Sequence, residues 1–357
     1  GTLENKDQDG SRLPSWSPLH IWGPRLRSTT LINMRHDTVS MQVLITGVAG
    51  FIGSQVAGAL LERGDFVIGI DNLNAYYDPS LKEARLRTLA SKEGFTFHKV
   101  DMTDYDAMQM IVEEHRIERI LHLAAQAGVR YSIEHPFTYE KNNELGTLNM
   151  LELARHHGVG HMIFASSSSV YGGNTEMPFH EGQDVSRPVS LYAATKKSGE
   201  LMCHTYHHLY GIRCRCLRFF TVYGPWGRPD MALFTFTRNI LEGRPIDVYN
   251  HGKMHRDFTF IDDIVQGVVA AIDAEYGYEI FNLARGESVE LMTYIRALED
   301  ALGMKASMNM MEMQPGDVPA TSADISKAQR MLAYAPSTSV PEGVRRFVDW
   351  YRSFYQV

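Results

Sequence analysis

The chain has 357 residues, 44% of them hydrophobic and 22% charged, with a net charge of −7 and no basic block. That length carries one large or two modest domains, and the charge balance argues against nucleic acid or an anionic membrane as a partner. No apolar run reaches the ~18 residues that span a bilayer. The three cysteines, Cys203, Cys214 and Cys216, lack Cys-x-x-Cys spacing, so neither a disulfide framework nor a zinc site is expected and a reducing, cytoplasmic setting fits.

Residues 1–40 hold Pro14, Pro18, Gly23 and Pro24 with scattered Trp16 and Trp22 and no sustained period. They read as a mobile extension, and the leading glycine reads as a sign of processing. The fold is expected to start near Met41. Gln42–Thr46 reads as a buried strand, Gly47 to Gly53 as a turn, and a helix runs on to Arg63. Phe66–Ile70 is a second strand ending at Asp71, and a helix follows through Leu89. Phe95–Val100 is a third strand, Tyr105–His115 a helix and Arg119–Leu123 a fourth strand. One long helix is predicted from Phe137 to His157, then a fifth strand His161–Ala165, a helix Leu191–Leu209 and a strand Ile212–Arg218. Cys214 and Cys216 alternate onto one face of that strand.

Strand–helix alternation predicts an α/β fold, a Rossmann-type doubly wound parallel sheet covered on both faces. Beyond Thr221 the pattern loosens, and residues 221–357 read as a smaller C-terminal α/β lobe with segments returning to the 41–220 domain. Ligands of such sheets bind at the strands' carboxyl ends. Gly47, Asp71, Asp101, Leu123-Ala124-Ala125 and Ser166 to Ser169 all fall there, so one cleft is predicted.

Gly47-Val-Ala-Gly50-Phe51-Ile52-Gly53 is a variant of the dinucleotide fingerprint in its proper strand-to-helix setting. The glycines permit a tight turn and bring backbone N–H groups to a pyrophosphate. Asp71, with Asn72 beside it, can hold the ribose hydroxyls of NAD and would repel the 2′-phosphate of NADP. Asp101-Met102 falls where an adenine would lie, although Asp101 could equally cap the next helix.

Tyr192 and Lys196 lie four apart on a predicted helix, one turn from each other on one face. A lysine ammonium there would favour a phenolate that otherwise forms only near pH ~10. A serine of the Ser166–Ser169 run could share the substrate proton. His156, His157, His204, His207 and His208 lack a convincing ligand spacing, so no metal is expected. Met308, Met310, Met311 and Met313 read as core gap-fillers.

The glycine pattern, the serine run before Val170-Tyr171-Gly172 and Tyr192-x-x-x-Lys196 together resemble the extended short-chain dehydrogenase/reductases, over essentially Met41 to Val357. Tyr223-Gly-Pro-Trp-Gly-Arg-Pro-Asp230 and the stretch Pro245 to Thr259 narrow the resemblance to UDP-glucuronate 4-epimerases. It implies tightly held NAD, Tyr192 as base, Lys196 on the nicotinamide ribose lowering the phenol pKa, and Ser167 on the sugar 4′-hydroxyl. It also implies Arg256 on the diphosphate and Asp317 on the uridine ribose, although Asp317 could merely cap a turn. Thr221 stands where UDP-glucose epimerases have asparagine. With Arg228, which could also be a plain surface arginine, that points to a substrate carboxylate. Ser168 and Ser169 stand where related dehydratases and decarboxylases carry acids; with Thr221 they are expected to hold the carboxylate by neutral hydrogen bonds. The resemblance also implies a homodimer through helices around Glu144–His157 and Leu191–Leu209. UDP-glucose 4-epimerase, or a catalytically silent nucleotide-binding regulator, are the alternatives.

Overall fold

The computed structural model describes residues 40–314 and 317–357; the expected extension, residues 1–39, lies outside them. β1 (Gln42–Thr46) ends at Gly47, whose φ of +74° turns the chain toward α1 (Phe51–Arg63). A Cβ on Gly47 would lie 2.9 Å from the Ala124 backbone nitrogen, so this turn tolerates no side chain. β2 (Phe66–Asp71), α2 (Pro79–Ala90), β3 (Phe95–Lys99), α3 (Tyr105–Glu114) and β4 (Arg119–His122) follow. Asp78 caps α2 and Asp104 caps α3, each accepting a backbone N–H of the first turn. Asp101 is therefore not the cap that the sequence left open.

α4 (Val129–Glu134) was not expected, and the long predicted helix is interrupted: α5 (Pro136–Tyr139), a π-helical stretch Glu140–Leu145, then α6 (Gly146–His156). Asn143 explains the widening. Its side chain accepts from Gln126 N at 2.8 Å and donates to Gln126 O and Thr195 Oγ1, each at 3.0 Å. Such π-turns concentrate at functional sites. β5 (His161–Ser167), α7 (Leu191–Tyr210) and β6 (Arg213–Phe219) complete the first run.

The rest comprises β7 (Thr221–Tyr223), α8 (Ala232–Leu241), β8 (Ile246–Tyr249), β9 (His255–Phe260), α9 (Ile261–Asp273), β10 (Tyr278–Leu283), β11 (Ser288–Glu290), α10 (Leu291–Leu302), β12 (Met308–Met311), α11 (Ser326–Leu332) and α12 (Val340–Tyr355). The large sheet runs β10-β6-β5-β4-β1-β2-β3, all parallel. Its strand order reverses between β1 and β4, which opens a crevice at their carboxyl ends. β7, β9 and β11 form a small sheet, and β8 and β12 another. Around them α8, α10 and α12 bury a separate aromatic-rich core containing Phe234, Phe258, Tyr294 and Phe347.

Met310, Met311 and Met313 are 41–49% exposed, contrary to the core placement expected of them. β12 pairs only with β8, so its outer side meets solvent; Met308 alone packs on the core. Cys203, Cys214 and Cys216 are free and buried together behind the large sheet.

Two buried polar devices hold the cleft in place. His122, closing β4, lies between Thr46 Oγ1 (2.8 Å from Nδ1) and Thr147 Oγ1 (3.2 Å from Nε2). Thr46 Oγ1 accepts from Ala124 N, and Thr147 donates to Asn143 O. The network therefore assigns the ring proton to Nε2. Burial, with the Lys196 charge, pushes the His122 pKa down to about 3. The second device is Glu200 on α7, fully buried, which takes a forked pair of bonds from Arg218 of β6 at 2.8 and 2.9 Å and one from Ser166 Oγ at 2.7 Å.

A histidine neutral in the fold and free to charge when unfolded loses stability as pH falls below its unfolded value of ~6.5. Between pH 7 and 5 His122 should cost about 2 kcal/mol of unfolding free energy, and His122→Gln should remove that part of the pH slope in urea titrations. Glu200→Gln leaves the Arg218 cation buried without its counter-charge and should cost about 3–5 kcal/mol, whereas adding Arg218→Met should recover most of it.

Candidate active site

The crevice is built from turns that follow β1, β2, β3, β4 and β5. Every residue expected on the cofactor side lines it: Gly47, Gly50, Phe51, Ile52, Gly53, Asp71, Asn72, Asp101, Met102, Leu123, Ala124, Ala125, Tyr192 and Lys196. α1 opens there without a side-chain cap and without an acid in its first turn, so its N–H groups and dipole suit an anion. A Cβ on Gly53 would sit 2.2 Å from Gly47 O, which fixes how closely that turn folds on itself. Asp71 accepts Leu73 N (2.8 Å) and Ala49 N (3.2 Å); burial raises its pKa against those bonds. Asn72 reaches across to Asp101 at 2.9 Å. Asp101 is bonded further to the backbone and hydroxyl of Thr103, and its pKa is held down. These features fit NAD: a phosphate cradle, a carboxylate at the end of β2 for ribose hydroxyls and an apolar Met102 wall.

α7 grips the end of β5 at three successive turns. Tyr192 shares the crevice wall with Ser167, Lys196 Nζ donates to Ala165 O at 2.7 Å, and Glu200 accepts from the Ser166 hydroxyl. The i, i+4, i+8 stripe thus meets three consecutive strand residues. Lys196, expected to lower the phenol pKa, gives one of its three donors to the strand. A buried ammonium must satisfy its donors, and the Ala165 carbonyl takes one; burial brings the Lys196 pKa down to about 7. Burial raises the Tyr192 phenol, while the Ser167 hydroxyl and the Arg228 charge pull it down.

On the sugar side, Ser167 and Arg228 line the crevice; Ser168, Ser169, Thr221, Arg256 and Asp317 are not among its lining residues. Ser169 Oγ donates to Ser167 Oγ at 2.9 Å, and Thr221 sits on β7 beside Phe258 of β9. Arg228 is paired with Asp230, which Tyr76 also approaches. Arg256 bonds the carbonyls of His255 and Pro319, and Asp317 pairs with Arg130 at 3.1 Å; Arg130 also covers the Tyr249 ring. Sequence reasoning missed Tyr76, Lys82, Gln126 and Asn142, which also line the crevice, and Arg130, Asp230 and Glu200. Glu200, four residues after Lys196, had a readable signal in its spacing; the others lie in loops or helices whose pattern carries none. Among the described residues no group of metal-binding side chains converges, and no helix is long and apolar enough to cross a membrane.

The model of the NAD dependent epimerase/dehydratase family matches residues 43–284. UDP-glucuronate 4-epimerase 4 of Arabidopsis thaliana is 46% identical over 352 residues, 94% of this chain and 80% of that protein. A probable UDP-glucuronate 4-epimerase of Rhizobium meliloti is 46% identical over 335 residues, 88% of this chain and 98% of its own length. The crystal structure of UDP-glucuronic acid 4-epimerase from Bacillus cereus with UDP-glucuronic acid and NAD matches at a TM-score of 0.83 and 36% identity, over 88% of this chain and 100% of that one. With the family model spanning most of the sheet and these relatives matched over nearly all of the described residues, the chain belongs to the NAD dependent epimerase/dehydratase family.

Proposed function

We propose that this chain interconverts UDP-glucuronate and UDP-galacturonate by epimerisation at C4′ through a transient 4-keto sugar. The observation that carries the reading is that Tyr192, Ser167 at the end of β5, and Arg228 line one wall of the crevice that fits NAD. Bound NAD supplies the hydride acceptor and donor for C4′. Tyr192 takes the 4′-hydroxyl proton and returns it, with Ser167 orienting the hydroxyl. The Arg228 charge helps the phenol ionise, and Lys196 is placed to bond the ribose next to the reacting ring. Arg256 anchors the diphosphate, since a guanidinium makes strong charge-assisted bonds to phosphate, and Asp317 takes the uridine ribose. The 4-keto sugar then swings about its diphosphate bond and presents its other face.

A 4-keto uronate is a β-keto acid and loses carbon dioxide most readily when the carboxylate bond aligns with the ketone π-system. Ser168, Ser169 and Thr221 offer neutral hydrogen bonds that keep the carboxylate from that alignment, and Arg228 balances its charge. On this reading residues 41–220 hold NAD and residues 221–357 the UDP-sugar. Leu145 and Leu148 beside Leu201, Leu209 and Tyr210 leave apolar surface on the π-turn, α6 and α7, which supports a homodimer through these helices. Three free buried thiols support a reducing, cytoplasmic compartment.

Purified protein incubated with UDP-glucuronate and no added cofactor should yield UDP-galacturonate by NMR. Conversion of UDP-glucose to UDP-galactose with no action on the uronate would overturn the substrate assignment, and a UDP-pentose product would overturn the role of the three hydroxyls. Tyr192→Phe should lower kcat by about 10²–10⁴-fold with the fold intact.

A further inference from the structure

Arg85, in the middle of α2, is fully buried and has no carboxylate in its hydrogen-bonding shell. A cation placed that way is costly unless every donor is satisfied. All of its N–H groups are. Nη1 donates to Ala49 O at 3.0 Å and Tyr77 Oη at 2.7 Å; Nε donates to Trp226 O at 3.1 Å; Nη2 donates to Trp226 O at 2.6 Å and Gly227 O at 3.2 Å. The five acceptor contacts belong to three different loops. Ala49 lies inside the Gly47–Gly53 turn, and its own N–H goes to Asp71. Tyr77 lies in the loop between β2 and α2. Trp226 and Gly227 directly precede Arg228.

Trp226 supplies a second, independent observation. Its φ is +66°, a left-handed conformation that a bulky residue holds only when its surroundings impose it. Its ring is fixed against Trp350 (5.2 Å) and Phe354 (5.0 Å) of α12, and its carbonyl is fixed by two Arg85 N–H groups. Releasing the carbonyl frees the peptide that aims Arg228.

We propose that Arg85 is a positioning residue that couples NAD occupancy of the Gly47–Gly53 turn to the placement of the Arg228 loop, so that the sugar-recognising side of the cleft is set only when the cofactor is in place. The part of this that concerns sugar choice rests on the reading of Arg228 as the group facing the substrate carboxylate. Lysine would keep the charge but cannot hold these four acceptors at fixed angles.

The test is amide hydrogen exchange on the full chain with and without NAD, for wild type and Arg85→Lys. In wild type NAD should slow exchange across residues 224–231 by about fivefold or more. In Arg85→Lys at saturating NAD the slowing at residues 47–53 should persist, while that at 224–231 falls below about twofold. Val268→Ala, a cavity in the core under α9 that touches none of the Arg85 bonds, should lose stability and keep both effects. Tyr77→Phe, which frees a single donor and serves if Arg85→Lys does not fold, should weaken the 224–231 effect. Undiminished slowing at 224–231 in Arg85→Lys, or in Tyr77→Phe where that variant stands in for it, overturns the coupling. Kinetics with UDP-glucuronate and UDP-glucose should show the preference for the uronate reduced about fivefold or more in Arg85→Lys. A wild type that prefers UDP-glucose overturns the assignment of Arg228 and leaves the exchange data to judge the coupling.

Discussion

The geometry of the site depends on one contact, the seating of α7 on the last three residues of β5. A helix presents one side chain per turn to a given line, and a strand alternates its side chains across the sheet. Three turns of α7 meet Ala165, Ser166 and Ser167 in different ways: an ammonium donates to a backbone carbonyl, a carboxylate accepts from a hydroxyl, and the phenol shares the crevice wall with the next hydroxyl. A slip of either element would strand a buried charge, so packing and catalysis share one register.

Burying charge near the cleft follows two strategies. Arg218 is paired with Glu200, and Tyr171 covers its guanidinium at 4.8 Å; that serves Nη1, which has no hydrogen-bond partner. Arg85 instead gives every donor to neutral oxygens. The first arrangement fixes one helix against one strand. The second ties together loops that no secondary structure connects, where a fork of directed donors achieves more than an attractive point charge.

The sheet was readable because apolar runs alternate with helical periods, and the strand-end residues inherit their meaning from topology: Gly47, Asp71 and Tyr192 reach one crevice because each follows or faces a strand end. What was not readable is long-range. The π-turn at Asn143 is imposed by Gln126 and Thr195, residues of other elements, so its own segment still reads as plain helix. Arg85 sits in an unremarkable helical pattern, and its acceptors are backbone carbonyls, which carry no side-chain signature. The bond from Lys196 to Ala165 O likewise goes to a backbone carbonyl, which leaves no mark in the sequence.

β10 closes the edge of the large sheet beside β6, yet its residues are made after α7, β6 and the whole β7–α9 stretch. During synthesis the six preceding strands therefore wait with β6 as an open edge, its backbone N–H and C=O groups a template for mispairing between nascent chains. The buried thiols Cys214 and Cys216 lie on that same strand, in register with Tyr278 and Ile280 of β10. A fragment ending near residue 220 would keep the cofactor cradle but be left with an edge suited to aggregation. Duplication or fusion of this fold in evolution must accordingly carry the two halves together.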